Sequence, residues 1–140
     1  MIQKLFSPTS WTVNATDWAS LILRLTLGLL MLSHGIPKLM KLLNGTMEFG
    51  DPIGIGAPAS LTLTVFAEVV CSLFIVIGLW TRLALIPLII TMAVAVFIVH
   101  INDDLGTMEA GLMYLLCYCA LFLLGSGTYS MDAVLKRKAL

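Results

Sequence analysis

Residues 61–80 read LTLTVFAEVVCSLFIVIGLW, an apolar run broken by a single ionisable side chain, Glu68. At about 1.5 Å per helical residue, a run of this length crosses the roughly 30 Å hydrocarbon layer of a bilayer. A charge at that depth costs about 2.5–3.5 kcal/mol on insertion scales, so it persists only where it is paired, hydrated or used. The preceding apolar run carries Arg24 well inside it. Opposite charges on neighbouring segments suggest a pair that organises a helix bundle, a ligand site, or both.

The rest of the chain agrees with a membrane setting. Of its 140 residues, 59% are hydrophobic and 11% are charged, and its mean hydropathy is +1.01. An ordinary soluble domain holds about 25% charged residues. Four runs have spanning length, at about 18–39, 61–80, 83–100 and 110–124. The expected fold class is therefore all-α, an integral membrane four-helix bundle forming one domain over residues 1–140. The last two runs are short, which implies a thin hydrophobic profile or little tilt. The first 20 residues lack the apolar core of a cleaved signal peptide, so the first span is expected to direct its own insertion. Eight basic and eight acidic residues cancel, and nothing points to nucleic acid.

An even number of spans puts both termini on one side, together with Arg82 in the second connection. That side carries Lys4, Arg82, Lys136, Arg137 and Lys138, against Lys38 and Lys41 on the other. The positive-inside rule then places both termini in the cytoplasm. Residues 1–16, with Leu5, Phe6 and Trp11 near Lys4, suggest a short interfacial helix. The longest connection, 41–60, is rich in glycine and proline and holds Phe49, Ile53 and Ile55. It reads either as a plain tether or as a loop folded over the bundle mouth. Pro87 is expected to kink the third span. The third connection is expected at 101–108. Gly125-Ser126-Gly127 should stop the fourth span, with a short basic surface helix after it.

Helical spacing sorts the polar residues. At about 100° per residue, Arg24, Gly28, Met31, Gly35 and Lys38 share one stripe on the first span. Thr64, Glu68 and Ser72 share another on the second. Polar stripes avoid lipid and glycines permit close approach, so these two faces should meet. Counting about 1.5 Å per residue from the ends of the apolar runs sets Arg24 and Glu68 roughly 7 Å apart in depth. An arginine can reach most of that distance, so the two are expected to pair as a polar floor. The pair would either fix helix register or underlie a pocket.

A second cluster, His34, Lys38, His100 and Glu109, falls near the opposite surface. Its residue types suit hydrogen bonding or proton exchange, since histidine as a residue type changes charge near neutrality. Two histidines and a carboxylate are also zinc or iron ligand types, but no HxxxH or ExxH spacing sets them on one face. Neither a metal nor a flavin is expected. Cys117 and Cys119 point about 200° apart on a helix, and no CxxC occurs, so a thiol relay within the chain is not expected.

These residues in this order resemble the DoxX family of small four-span bacterial membrane proteins. The resemblance is carried by Arg24-Leu25-x-x-Gly28 with His34-Gly35-x-x-Lys38, then Glu68 with Gly78-Leu79-x-Thr81-Arg82. His100, Glu109-Ala110 and the closing Gly125-Ser126-Gly127-x-x-Ser130-Met131-Asp132 follow. The closing element often reads Gly-Pro-Gly in the family; here Ser126 stands in the proline's place. The resemblance implies a multi-pass protein of the bacterial cytoplasmic (inner) membrane. Some such relatives are subunits of thiosulfate:quinone oxidoreductase or of complexes that answer thiol stress. The reading taken from it is a redox-associated subunit that binds a quinone or similar apolar ligand between its helices. It would work as a homo-oligomer or with a membrane or soluble partner subunit. The alternatives are a non-enzymatic scaffold or assembly factor, and a small transporter or lipid-handling protein.

Overall fold

The computed structural model describes residues 13–139. Four helices are long and apolar enough to cross a membrane. Helix α1 is Val13–Leu43, α2 is Ala57–Ile77, α3 is Thr81–Val99 and α4 is Leu105–Leu124. A short fifth helix, α5, covers Met131–Lys138. There is no strand among the described residues. The expected interfacial helix at 1–16 lies outside the described residues except for 13–16, which already belong to α1.

The helices are longer than their apolar runs. Lys41, expected to open the long connection, sits inside α1. Helix α4 starts at Leu105, because the Asp104 carboxylate accepts from the Thr107 amide and caps it, so the third connection is shorter than expected. The α-helical part of α3 runs unbroken through Pro87. Two stretches depart from α geometry. Phe66–Cys71 of α2 and Ala95–Val99 of α3 are π-helical, and Glu68 lies in the first.

The core is a seam between all four spans, with Met31, Ile75, Leu85, Leu88, Tyr118 and Leu121 almost wholly buried. Leu29, Leu63, Ile90, Leu116 and Leu123 face outward. In water that apolar exterior would aggregate; in a bilayer it is the solvated surface.

The α1 stripe does face α2. A side chain at Gly28 would strike Val76 and crowd the Ser72 carbonyl. A Cβ at Gly35 would lie 2.8 Å from Val69 Cγ2 and 2.9 Å from Glu68 Cβ. These glycines bring the two backbones together, and they also fix the register. Gly28 stands opposite Ser72, and Gly35 opposite Glu68.

The end where α1 begins and α4 stops is held by a polar latch. Ser20 Oγ donates to the Gly125 carbonyl at 2.7 Å, and the Thr128 amide donates to Asp17 Oδ1 at 2.9 Å. Asp132 accepts from the Trp80 amide at 2.7 Å, and from the Thr81 amide and hydroxyl at 3.0 and 2.9 Å. It thereby caps the start of α3. Its own amide donates to the Gly78 carbonyl at 2.9 Å. Gly78 ends α2 with φ of 72°, and any side chain there would collide with the Arg24 guanidinium and Ser130.

The glycine seam is open to a direct test. Gly35→Ala should lower stability by about 1–3 kcal/mol, the cost of overpacking a close interface. Gly50→Ala, where no atom lies within 4 Å, should leave it unchanged. Unfolding in mixed detergent micelles reads both, and equal behaviour of the two variants would contradict the seam.

Candidate functional site

Arg24 and Glu68, expected as partners, belong to different ends of the bundle. Arg24 Nη2 donates to the Tyr129 carbonyl at 2.6 Å, and Nη1 donates to the Ile75 and Val76 carbonyls at 3.5 Å. The guanidinium thus satisfies carbonyls left open where α2 ends, and its charge meets the negative end of that helix. On α1 the level of Glu68 is Gly35, eleven residues and about 16 Å beyond Arg24. The depth count fails because α1 begins before its apolar run and overlaps the closing segment. That overlap slides Arg24 down to the Gly78 turn.

Glu68 pairs with Lys38 instead. Lys38 Nζ donates to Glu68 Oε1 at 2.5 Å. The Glu68 side chain is 3% exposed and that of Lys38 30%, so the carboxylate is buried and the ammonium reaches toward the surface. Glu68 Oε2 is buried and has no hydrogen-bond partner among the described residues. A buried acceptor left open costs about 1–3 kcal/mol, and it marks a place where a donor can enter.

The ion pair stands at the wall of a cavity of about 360 Å³. Thr64 and Glu68 come from α2, Thr91 and His100 from the α3 side, and Phe49 and Ile53 from the long connection. That connection is folded over the mouth by Asp51. The Asp51 carboxylate accepts from the Ile55 amide at 2.9 Å, the Gly56 amide at 2.8 Å and the Ser60 hydroxyl at 2.9 Å. The Gly56 amide, with the Ser60 hydroxyl and the Ile55 and Gly54 amides, outweighs desolvation and holds this carboxyl below the usual carboxylate range. Leu63 and Ile90, both more than half exposed, also line the cavity. It therefore opens to lipid as well as beneath the loop.

The remaining expected site residues divide. Thr64 donates to the Ser60 carbonyl at 2.8 Å and lines the cavity. Ser72 is buried against Gly28 with no partner for its hydroxyl among the described residues. His100 lines the cavity, and its Nδ1 lies 2.6 Å from Asp103 Oδ2. His34 does not join them. It lies edge-on to Tyr114, ring centroids 6.0 Å apart, because it is Gly35 rather than His34 that points at α2. Glu109 is exposed on α4 away from the cavity lining. Among the described residues, no group of three or more His, Cys, Asp or Glu could hold a metal ion, and the three cysteines are unpaired.

Sequence reading missed five contributors. Asp51 was visible only as a turn former, although an Asp ahead of Gly-x-Gly amides is a known loop organiser. Asp103 orients His100 from three residues away, and Thr91 gave no signal among apolar neighbours. Tyr114 and Tyr118 lie one helical turn apart on α4 with ring centroids 5.9 Å apart, and Tyr114 meets His34 edge-on. Tyr118 is wholly buried with an unpartnered hydroxyl.

The DoxX family model matches residues 19–101, more than half of the chain, and the chain belongs to that family. No curated protein and no solved structure matches it. The matched stretch contains Arg24, the glycine seam, Lys38, Glu68 and His100, and so covers both the seam and the cavity.

Two outcomes follow for the site. Lys38→Met strands a buried carboxylate and should cost about 3–5 kcal/mol. The double variant Lys38→Met, Glu68→Met should recover most of that loss, and additive losses in unfolding free energy would refute the pair. Acid should also open the loop. Asp51 stabilises it fully above its ordinary value of 3.8 and loses that effect as pH falls through the lower folded value. Amide exchange at Ile55 and Gly56, relative to intrinsic rates, should therefore rise only below about pH 4. In Asp51→Ala it should be fast at every pH.

Proposed function

We propose that this DoxX-family protein is a redox-associated subunit of the bacterial cytoplasmic membrane, with its termini in the cytoplasm. In this reading it takes a quinone or similar apolar ring compound into the loop-covered cavity. The observation that carries the proposal is the Lys38–Glu68 pair with its unpartnered Oε2 at the cavity wall. A pair serving only helix register would need no hollow beside it and would leave no acceptor open. The volume falls within the roughly 300–1,000 Å³ of small-molecule pockets. Leu63 and Ile90 give an apolar tail a way out to the bilayer.

The residues fit such a ligand in both of its protonation states. Lys38 Nζ has protons beyond the one given to Glu68, and can donate to a ring carbonyl. Glu68 Oε2 can accept from a ring hydroxyl. A bound quinone would supply a two-electron, two-proton couple, and the chain itself shows no redox centre. Glu68 Oε2 would then be the atom that takes or gives the ligand's proton, while Lys38 Nζ holds Oε1 in place. His100, oriented through Nδ1 by Asp103, offers its other nitrogen at the mouth as a route for the proton to water. The orientation of the termini rests on the basic excess at their end, Arg82 and Lys136, Arg137 and Lys138.

A scaffold role is the second reading, favoured by α4. Only 17% of its spanning window is buried within the chain, against 44% for α2. That leaves a face on which a partner subunit or a second copy could pack.

A quinone-analogue titration followed by thermal unfolding separates the two readings. The wild-type chain should be stabilised in a saturable way, Glu68→Gln should lose at least about tenfold in affinity, a difference of ~1.4 kcal/mol, and Glu109→Gln should bind like wild type. No stabilisation by any analogue, with a partner protein retained through purification, would replace the ligand reading with the scaffold one.

A further inference from the structure

A second hollow lies at the opposite end of the bundle, where α3 begins and α4 stops. It measures about 550 Å³ and is lined by Trp80, Arg82, Leu83, Leu124, Ser126 and Asp132, among others. Three of these are apolar and outward-facing, with Trp80 59%, Leu83 64% and Leu124 44% exposed. The hollow is thus continuous with the lipid-facing surface.

Its polar side is built around one held cation. Arg82 Nε donates to the Phe122 carbonyl at 3.1 Å and Nη2 to the Leu123 carbonyl at 3.4 Å. The guanidinium lies 6.0 Å from the centre of the Phe122 ring. Nη1 makes no hydrogen bond among the described residues, and neither does the Ser126 hydroxyl. The carboxylate in the wall, Asp132, is engaged at both oxygens by the Trp80 amide and by the Thr81 amide and hydroxyl. Both oxygens are thus turned toward the start of α3, and the carboxylate keeps its negative charge there.

The depth of the hollow is marked by aromatic side chains. Trp18 and Tyr129 pack with rings tilted by 44° and centroids 5.0 Å apart, both half exposed, and Trp80 joins them at the same end. Tryptophan and tyrosine collect at headgroup level. From Asp132 in the wall the chain runs on as α5, which carries Lys136, Arg137 and Lys138 in its last turn and leaves Met131, Val134 and Leu135 exposed. Basic clusters next to spans raise the local concentration of anionic lipid.

We propose that this hollow binds one anionic phospholipid. Its phosphate sits on Arg82 and Ser126, one acyl chain lies along Leu83 and Leu124, and the basic turn of α5 supplies the preference for net negative charge. A free phosphate would find the same guanidinium but would leave the apolar wall uncovered. This site is independent of the loop-covered cavity and of the ligand assigned to it.

Native mass spectrometry of the full chain in detergent, with phosphatidylglycerol, phosphatidylcholine or inorganic phosphate added, tests the proposal. Phosphatidylglycerol adducts should exceed phosphatidylcholine adducts several-fold, and inorganic phosphate should neither bind nor compete. Arg82→Gln should reduce the phosphatidylglycerol adduct to the phosphatidylcholine level. Because that variant also releases two α4 carbonyls, Ser126→Asp serves as the second arm. It adds a like charge to the hollow at a hydroxyl that makes no hydrogen bond among the described residues. It should abolish the preference while the variant still melts cooperatively in phosphatidylcholine nanodiscs. Equal retention of the two lipids, or a preference that survives both substitutions, would overturn the site. Displacement of the lipid by inorganic phosphate would reassign it to a free anion.

Discussion

Helices α1 and α2 can lie together at only one level, because Gly28 and Gly35 are the places where α1 has no side chain to hold α2 away. Between helices in lipid there is no hydrophobic drive, so close packing and polar contacts carry the association. That single register disposes of both membrane-embedded cations. It delivers Arg24 to the carbonyls where α2 ends and Lys38 to the carboxylate at the middle of α2. A slip of one turn would leave each charge facing hydrocarbon, at about 2.5–3.5 kcal/mol apiece. The glycines and the charges therefore enforce the same answer.

Division of labour follows from that register. The end where α1 begins is fastened by the hydrogen bonds of Asp17, Ser20, Arg24 and Asp132. The opposite end keeps an acceptor open beside a cavity. Both ionisable groups on the α2 and α3 side of the cavity are placed by π-helical turns. Glu68 lies within one, and His100 directly follows the other. Such turns occur often at functional sites, where a local change of helical pitch re-aims a side chain. Here they turn two polar groups toward a space that regular helices would have filled with their own packing.

Hydropathy was enough to place the four spans, because bilayer thickness imposes a length that sequence must meet. Periodicity was enough to put Arg24 and Lys38 on the face that meets α2, since face depends only on local geometry. Level is different. How far α1 slides along α2 depends on Ser20, Asp17 and Arg24 bonding to residues more than 100 positions later, and no local pattern encodes that. This is why Glu68 was assigned the wrong cation. The same limit hid the role of Asp132, a cap for a helix that starts 51 residues earlier. It also hid the π turns, which have no residue preference strong enough to read. The loop was recognisable from its glycines and prolines, yet its organiser, Asp51, looked like any other turn residue.

The latch joins the first span to the segment that follows α4, with separations of 105 to 111 positions. A membrane protein is inserted as it is synthesised, from its first span onward. Asp17, Ser20 and Arg24 therefore enter the bilayer long before Gly125, Thr128 and Tyr129 exist. Until that segment is made, this end of the bundle lacks every bond that Asp17, Ser20 and Arg24 make to it. Its synthesis is then the closing step for the latch, and a product truncated after α4 would keep the glycine seam and the Lys38–Glu68 pair but lose the latch.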